Sequence, residues 1–346
     1  MRISRTWPVG KVLVLVAAMG LSSAAGAQTV PFVWPTADPV SVGIDAALPE
    51  QLRKKLRGNP RLLSLGIVRH GQLVFEHYHE DVGKDSLINV ASVTKSVLAL
   101  LVGIAIEKGV LASVDQPLTD FFPELQQEGV DPASRGLTLR HLLSMSSGWE
   151  GTPEDLPPAD PLLALKRKIV LEPGGTFQYD NVSSHLIGIA LSRAAGRSLE
   201  AFAGEHLFTP LGIERFVWGR DFQGRTQGWH MLQVTLRDML KFGQLVLRKG
   251  DWQGHRVVSA GWIDKMLTQR NAGGPHSFLP YGYQWYLSRT PDKRHVAFMG
   301  IGYGGQLLYL VPALDTVIAV THTRDRRARN EDFSVLREIV MPAIQP

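Results

Sequence analysis

Cysteine is absent from all 346 residues of the chain. That excludes structural disulfides, thiolate zinc sites, a cysteine nucleophile and a lipidated N-terminal cysteine. A long hydrophobic run is also missing. The longest, Val12–Met19, falls short of the roughly 20 residues a helix needs to cross a membrane. Charge of one sign is scarce as well. The chain has 37 basic and 32 acidic residues, and three of the basic ones, Arg2, Arg5 and Lys11, lie in the first 27 positions. The remaining 34 against 32 leave a net charge of +2, which offers no basis for a nucleic-acid partner. The densest positive cluster, Arg324–Arg329, reads as a solvated loop before a last helix. Gly-x-Ser-x-Gly, Gly-x-x-x-x-Gly-Lys and His-Glu-x-x-His do not occur, which argues against an α/β-hydrolase elbow, a P-loop and a zincin. No internal repeat or low-complexity tract is present. With 44% hydrophobic and 20% charged residues, the composition is that of a globular chain able to bury a substantial core.

What is there begins with an export signature. Three basic residues precede the apolar run, and small residues follow it, ending in Ala25-Gly26-Ala27 just before Gln28. A charged n-region, a short h-region and an A-x-A site predict a signal peptide over 1–27, hence a periplasmic or secreted protein with no stable membrane insertion after cleavage. Residues 28–44 form an extended Pro-rich lead through Pro31, Pro35 and Pro39, and 45–346 read as one domain. The domain pattern starts with a helix over 45–58 and two strands, Leu62–Arg69 and Leu73–Tyr78, joined at His70-Gly71-Gln72. A buried helix follows over Ser92–Lys108, stopped by Gly109. From about 110 to 270 the chain reads mostly helical, at 138–145, 161–168, 183–195, 198–207, 235–249 and 260–267. Strands return at 282–287, 295–299, 306–311 and 316–321, and a closing helix fits 331–341. The order predicts an α/β (α+β) fold, an antiparallel sheet flanked by N- and C-terminal helices with an inserted all-α lobe over about 110–270. A cleft between the lobes is the expected place for a site.

Ser92-Val93-Thr94-Lys95 opens the most apolar of these helices and is the chain's only Ser-x-x-Lys. Positions i and i+3 share a helix face, so the Lys95 ammonium can sit beside the Ser92 hydroxyl. A hydroxyl at a helix N-terminus meets free N–H groups and the positive end of the dipole. It needs a base to become a nucleophile, and a desolvated lysine or its partner can be one. Tyr179-Asp180-Asn181 is the only Tyr-x-Asn and lies in a turn between helices. A phenol ordinarily titrates near 10, too high for a base at neutral pH, but an adjacent ammonium stabilises the phenolate. Lys95 and Tyr179 therefore make sense as a coupled pair. The third element, Gly302-Tyr303-Gly304-Gly305-Gln306, precedes a strand, where glycines permit close approach of a backbone or ligand.

Together these residues resemble the serine β-lactamase and penicillin-binding-protein superfamily, whose motifs are Ser-x-x-Lys, Tyr-x-Asn or Ser-x-Asn, and Lys-Thr-Gly or a relative. The Tyr-x-Asn version looks like its class C β-lactamase-related branch, with D-alanyl-D-alanine carboxypeptidases, family VIII esterases and 6-aminohexanoate-dimer hydrolases. Leu139–Trp149, Pro173–Tyr179, Pro210–Gly212, Leu236–Leu247, Tyr281–Trp285 and Gly304–Pro312 also look like family segments, so the resemblance spans roughly 40–340. It implies a β-lactamase/transpeptidase-like fold and a cofactor-free serine hydrolase. Ser92 would form an acyl-enzyme, with Lys95 and Tyr179 shuttling its proton. Asn181 would contact the substrate amide, and the backbone N–H groups of Ser92 and Gln306 would form an oxyanion hole. Tyr303, Gly304, Gly305 and Gln306 complete the implied substrate-binding set. One departure stands out. Tyr303 occupies the place where the family usually carries Lys or His, which favours esters or linear amides over β-lactams and D-alanyl peptides. Arg324 is a candidate source of the missing charge.

Two readings compete with an enzyme acting on a small ester or amide. One is a catalytically silent penicillin-recognising or cell-wall-binding protein on the same fold, and the other a scaffold whose Ser-x-x-Lys is coincidental. His77 and His79 alternate onto one strand face and read as solvent-facing, so no metal site is expected. Trp149, Trp229 and Trp285 are candidates for either the cleft wall or the core. Oligomeric state leaves no signature in the chain.

Overall fold

The structure, a computed structural model, describes residues 32–151, 160–274, 278–323 and 334–345. The expected signal peptide, Pro31, Arg324 and the first residues of the closing helix lie outside the described residues. In chain order the elements are α1 (Leu48–Leu56), β1 (Leu62–Arg69), β2 (Gln72–Tyr78), β3 (Ile88–Asn89), α2 (Val93–Glu107), α3 (Leu139–Leu143), α4 (Asn181–Ala195) and α5 (Leu199–Ala203). Next come β4 (Val217–Trp218), β5 (Leu232–Val234), α6 (Leu236–Leu247), β6 (Asp251–Trp252), β7 (His255–Arg256) and α7 (Ala260–Met266). The chain ends in β8 (Tyr286–Arg289), β9 (Val296–Gly302), β10 (Gln306–Val311), β11 (Thr316–His322) and the helical turns Leu336–Val340 and Met341–Ala343.

Six of the strands form one antiparallel sheet in the order β2-β1-β11-β10-β9-β8. β1 and β2 are joined by a tight turn in which His70 (φ 51°) and Gly71 (φ 75°) are both left-handed, the geometry that matches strand twist in a two-residue hairpin. β1, β10 and β11 are buried almost throughout, so they read as continuous apolar runs rather than alternating ones. One face of the sheet packs Ile67, Leu65, Tyr309 and Ile318 against Leu48, Leu52 and Leu56 of α1 and Val340 of the C-terminal turn. The other face carries α2 and α6. The Pro-rich lead lies along the outer edge of β2, where Leu73 N–H donates to Pro35 O (2.8 Å) and Ala37 N–H to Leu73 O (3.3 Å). An extended strap thus covers the backbone groups of an edge strand.

The antiparallel sheet and its terminal helices match the expected fold class. The inserted lobe differs from expectation in two respects. It is not all-α: β4 and β5 join β3, which precedes the insertion, in a small sheet, and β6 with β7 forms a hairpin. In addition α6, counted with the insertion, packs on β1, β10 and β11 and belongs to the sheet layer. Two-residue strands carry no readable alternation, and an amphipathic helix does not declare which layer its apolar face will meet.

Candidate active site

Ser92 stands at the N-cap of α2, at the end of a bend that follows β3. Asn89 Oδ1 accepts the Ala91 N–H at 2.9 Å, and Ala91 itself is left-handed at φ 48°. For a residue with a side chain that conformation costs about 1–2 kcal/mol. The surroundings hold it in place. Thr94 Oγ1 donates to Ala91 O (2.6 Å), Leu232 N–H of β5 donates to Thr94 Oγ1 (3.4 Å), and Val90 N–H donates to Leu232 O (3.0 Å). The small inner sheet is therefore what aims the first turn of α2.

From that turn Lys95, 2% exposed, extends back over Ser92. Its Nζ donates to Ser92 Oγ at 2.9 Å, to Asn181 Oδ1 at 2.9 Å and to the Trp229 carbonyl at 3.0 Å. An ammonium has three protons, and all three are taken. The charge also lies 4.9 Å from the Tyr179 ring centroid and 5.4 Å from that of Trp229, within cation–π range. Burial drives the Lys95 pKa well below the ordinary lysine range, and the nearby Asp180 carboxylate only partly opposes it.

Tyr179 and Asn181 reach this place because Asp180 between them caps α4. Its carboxylate accepts from Val182 N (3.0 Å), Ser183 N (3.2 Å) and Ser183 Oγ (2.7 Å). Asn181 is then the first helical residue and Tyr179 the last of the incoming loop, so both flank the helix N-terminus. A small cavity beside Tyr179 is lined by Ser147, Trp149, Arg167 and Gln178.

The glycine-rich turn joins β9 to β10 and meets the other side of the bend. A Cβ on Gly302 would stand 2.6 Å from Val90 O and 3.1 Å from Ala91 Cβ. Only glycine allows that approach, which brings the turn against the residues leading into Ser92. Gly304 (φ 82°) and Gly305 (φ 101°) turn the chain, and Tyr303 is exposed at its tip. Gln306 is fully buried, and its side-chain amide is engaged in the sheet: Nε2 donates to His322 O (2.8 Å) and Oε1 accepts from His322 N (3.2 Å). What this residue has left to offer a ligand is backbone.

Ser92, Lys95, Tyr179 and Asn181 thus form one cluster, with Gly302–Gln306 across the bend. Of the three tryptophans, Trp229 is at the cluster, Trp149 lines the neighbouring cavity and Trp285 is core. Sequence reasoning missed the Trp229 carbonyl, because a main-chain acceptor carries no side-chain signal. Among the described residues no group of histidine, aspartate or glutamate side chains could hold a metal, and no helix is long and apolar enough to span a membrane.

A serine held by a desolvated lysine, beside a tyrosine and an asparagine, is an arrangement suited to a serine hydrolase. The chain belongs to the Beta-lactamase family, whose model matches residues 58–340, and it is a serine hydrolase of that family. It is 28% identical over 288 residues to the 6-aminohexanoate-dimer hydrolase of Paenarthrobacter ureafaciens, covering 73% of this chain and 70% of that protein. It is 29% identical over 210 residues to esterase EstB of Burkholderia gladioli, covering 51% of this chain and 53% of the esterase, about half of its length. Among solved structures, a penicillin-binding-protein homologue from Caulobacter crescentus superposes with a TM-score of 0.71 at 15% identity, over 90% of this chain and 99% of that one. A D-stereospecific amidohydrolase from Streptomyces does so at 0.65 and 16%, over 87% and 98%. At these identities the structural likeness speaks for the fold.

Proposed function

We propose that the protein is an exported hydrolase that cleaves ester or linear amide bonds through an acyl-enzyme on Ser92. The observation that carries this reading is the Lys95 ammonium, which touches Ser92 Oγ and Asn181 Oδ1 and lies over the Tyr179 ring while its pKa is depressed by burial. Such a lysine gives up its proton more readily than a solvated one, so the Lys95–Tyr179 pair is suited to accept the Ser92 proton. The Ser92 oxygen then bonds to the substrate carbonyl carbon, and the proton passes to the departing alcohol or amine as its bond breaks. Water, deprotonated by the same pair, attacks the acyl carbon, the bond from that carbon to Ser92 Oγ breaks, and the pair returns the proton to Oγ. Backbone N–H groups of Ser92 and Gln306 receive the negative charge on the carbonyl oxygen, and Asn181 binds the substrate amide.

Two things support ester and linear amide bonds over β-lactams and D-alanyl peptides. Tyr303, a neutral and exposed residue, stands at the tip of the turn where a cation would otherwise greet a substrate carboxylate. The names of the relatives, a 6-aminohexanoate-dimer hydrolase and an esterase, point the same way. Export rests on the basic, apolar and Ala25-Gly26-Ala27 sequence of the first 27 residues. The mass of the protein recovered from a periplasmic or culture fraction checks it, with cleavage before Gln28 as the expected result.

The experiment is hydrolysis of a short-chain nitrophenyl ester, a linear aminohexanoate dimer and a chromogenic cephalosporin, beside Ser92→Ala. Turnover of the ester or dimer that drops by about a million-fold in the variant is the expected outcome. Preference for the cephalosporin would replace the ester and amide reading with a β-lactamase. No turnover and no acyl adduct at Ser92 would leave a silent binding protein.

A further inference from the structure

We propose that His185 is a positioning residue for Lys95, acting through the Gly228 amide and the Trp229 carbonyl. The inference rests on the acyl-enzyme reading above and adds to it a residue outside the motifs. His185 lies one turn into α4 from Asn181 and is 1% exposed. Its Nε2 is 3.0 Å from Asp221 Oδ2, and its Nδ1 is 3.3 Å from the Gly228 N–H. A main-chain N–H can only donate, so Nδ1 accepts, and the proton of the neutral ring sits on Nε2 and is donated to Asp221.

Asp221 is itself anchored. It accepts from Arg225 N and Gln223 N (both 2.9 Å) and from Arg225 Nε (2.7 Å), and Arg225 Nη2 reaches Asp160 at 2.8 Å. Burial lowers the His185 pKa, Asp221 works in the opposite direction, and Arg225 favours the neutral ring. A chain of bonded groups therefore runs from Asp160 near the surface through Arg225, Asp221 and His185 to the segment that bears the Trp229 carbonyl.

That segment packs directly on α4. A Cβ on Gly228 would lie 2.5 Å from Ser184 O, so the backbone is pressed flat on the helix there. The preceding residue is tied to the far side, by Gln227 N–H to Gly219 O (3.0 Å) and Trp218 Nε1 to Gln227 O (2.7 Å). On the helix side the side chain that bonds the Gly228 amide is His185. One residue further on, the Trp229 carbonyl takes one of the three Lys95 protons. The same helix supplies Asn181, the acceptor for a second. His185 thus sets the spacing between the two acceptors that aim Lys95 at Ser92. Without it the Gly228 N–H is buried unpaired, the segment relaxes, and the carbonyl moves. A displacement of about 1 Å in such a constellation can cost about 100-fold in rate.

Two substitutions separate this role from simple packing. In His185→Asn the amide oxygen takes the place of Nδ1, keeping the acceptor for Gly228 and losing Asp221. In His185→Gln the amide reaches the place of Nε2, keeping Asp221 and losing the acceptor for Gly228. The expected result is a kcat about 100-fold lower for H185Q with KM within about twofold, and a loss of no more than about fivefold for H185N. The limb of the pH–rate profile that reports the lysine–tyrosine pair should also move to lower pH in H185Q, because the ammonium has lost an acceptor. That limb is read on the folded fraction, so it holds even where one variant folds poorly. Equal losses in the two variants that track their melting temperatures, or an H185Q profile that superposes on wild type, would overturn the proposal. A fluorophosphonate probe keeps the two readings apart. Wild type that is not labelled at Ser92 refutes the acyl-enzyme reading, whereas equal labelling rates in wild type and H185Q refute only the role of His185.

Discussion

Two lysines are buried among the described residues, and they are buried in opposite ways. Lys241 on α6 is 4% exposed, with its Nζ 2.8 Å from Asp238 Oδ1, 2.9 Å from the Gly212 carbonyl and 5.7 Å from the Phe32 ring centroid. Lys95 is equally buried but bonds only to neutral oxygens, and the nearest carboxylate effect, from Asp180, is the smaller influence on its pKa. Lys241 and Asp238 form an ion pair within α6, and the same ammonium reaches the Gly212 carbonyl and the Phe32 ring of the strap. A lysine surrounded by dipoles alone pays for its charge with desolvation and releases its proton readily. Burial by itself therefore says little about function, and the partner decides.

The comparison is broken most sharply by removing each charge in turn. Lys95→Met should lower kcat by about a thousand-fold while leaving the unfolding midpoint unchanged or higher. The sign follows from linkage. A lysine whose folded pKa lies below its unfolded value near 10.4 contributes stability above that value and loses it as the pH falls through the folded pKa. At neutral pH placing Lys95 in this desolvated site is thus a cost whichever form it takes, and methionine lifts it. Lys241→Met should do the reverse, lowering stability by about 3 kcal/mol by stranding Asp238, with kcat per folded molecule unchanged. Thermal unfolding and ester hydrolysis on both variants check this pair, and matching losses of activity would show that the distinction is false.

A smaller change makes the first lysine resemble the second. Asn181→Asp places a carboxylate 2.9 Å from the Lys95 ammonium in the position of the present amide oxygen. The lysine pKa should rise, the protein should gain stability at neutral pH, and the rate at pH 7 should fall by about tenfold with its limb displaced upward. An unshifted limb would mean that Lys95 does not titrate in the reaction. The smallest effect is expected from Asp180→Asn, which keeps a good helix cap on α4 but deletes the charge that raises the Lys95 pKa. Its limb should move to lower pH at nearly wild-type kcat, and an upward shift in the pH–rate profile would contradict the assigned cause.

Much of this was legible along the chain. Ser92 and Lys95 declared themselves because three residues on a helix is a fixed geometry, and Tyr179 and Asn181 because Tyr-x-Asn occurs once, in a turn between helices. The bounds of β1 and β10 were read correctly from continuous apolar runs. Other features had no such signal. The short strands β4 to β7 are two or three residues each, below the length at which alternation can be recognised. Gln306 was expected to offer its backbone N–H; that its side chain would tie β10 to β11 is something only the register could reveal. His185 left a faint trace: Ser183, Ser184 and His185 interrupt an otherwise apolar helix, and buried polar groups on such a face need partners.

By itself the sequence determined which residues have the chemistry and which of them share a helix turn, since those relations extend over three or four positions. It determined a hairpin and a glycine turn for the same reason. Tertiary structure decided whether Lys95 would keep an ordinary lysine pKa or one depressed by burial. Its two acceptors beyond Ser92 come from 86 and 134 residues away, and its desolvation comes from every layer that closes over it. The free energy of a charge depends on all the dipoles around it, and where those dipoles lie is settled only when the chain has folded.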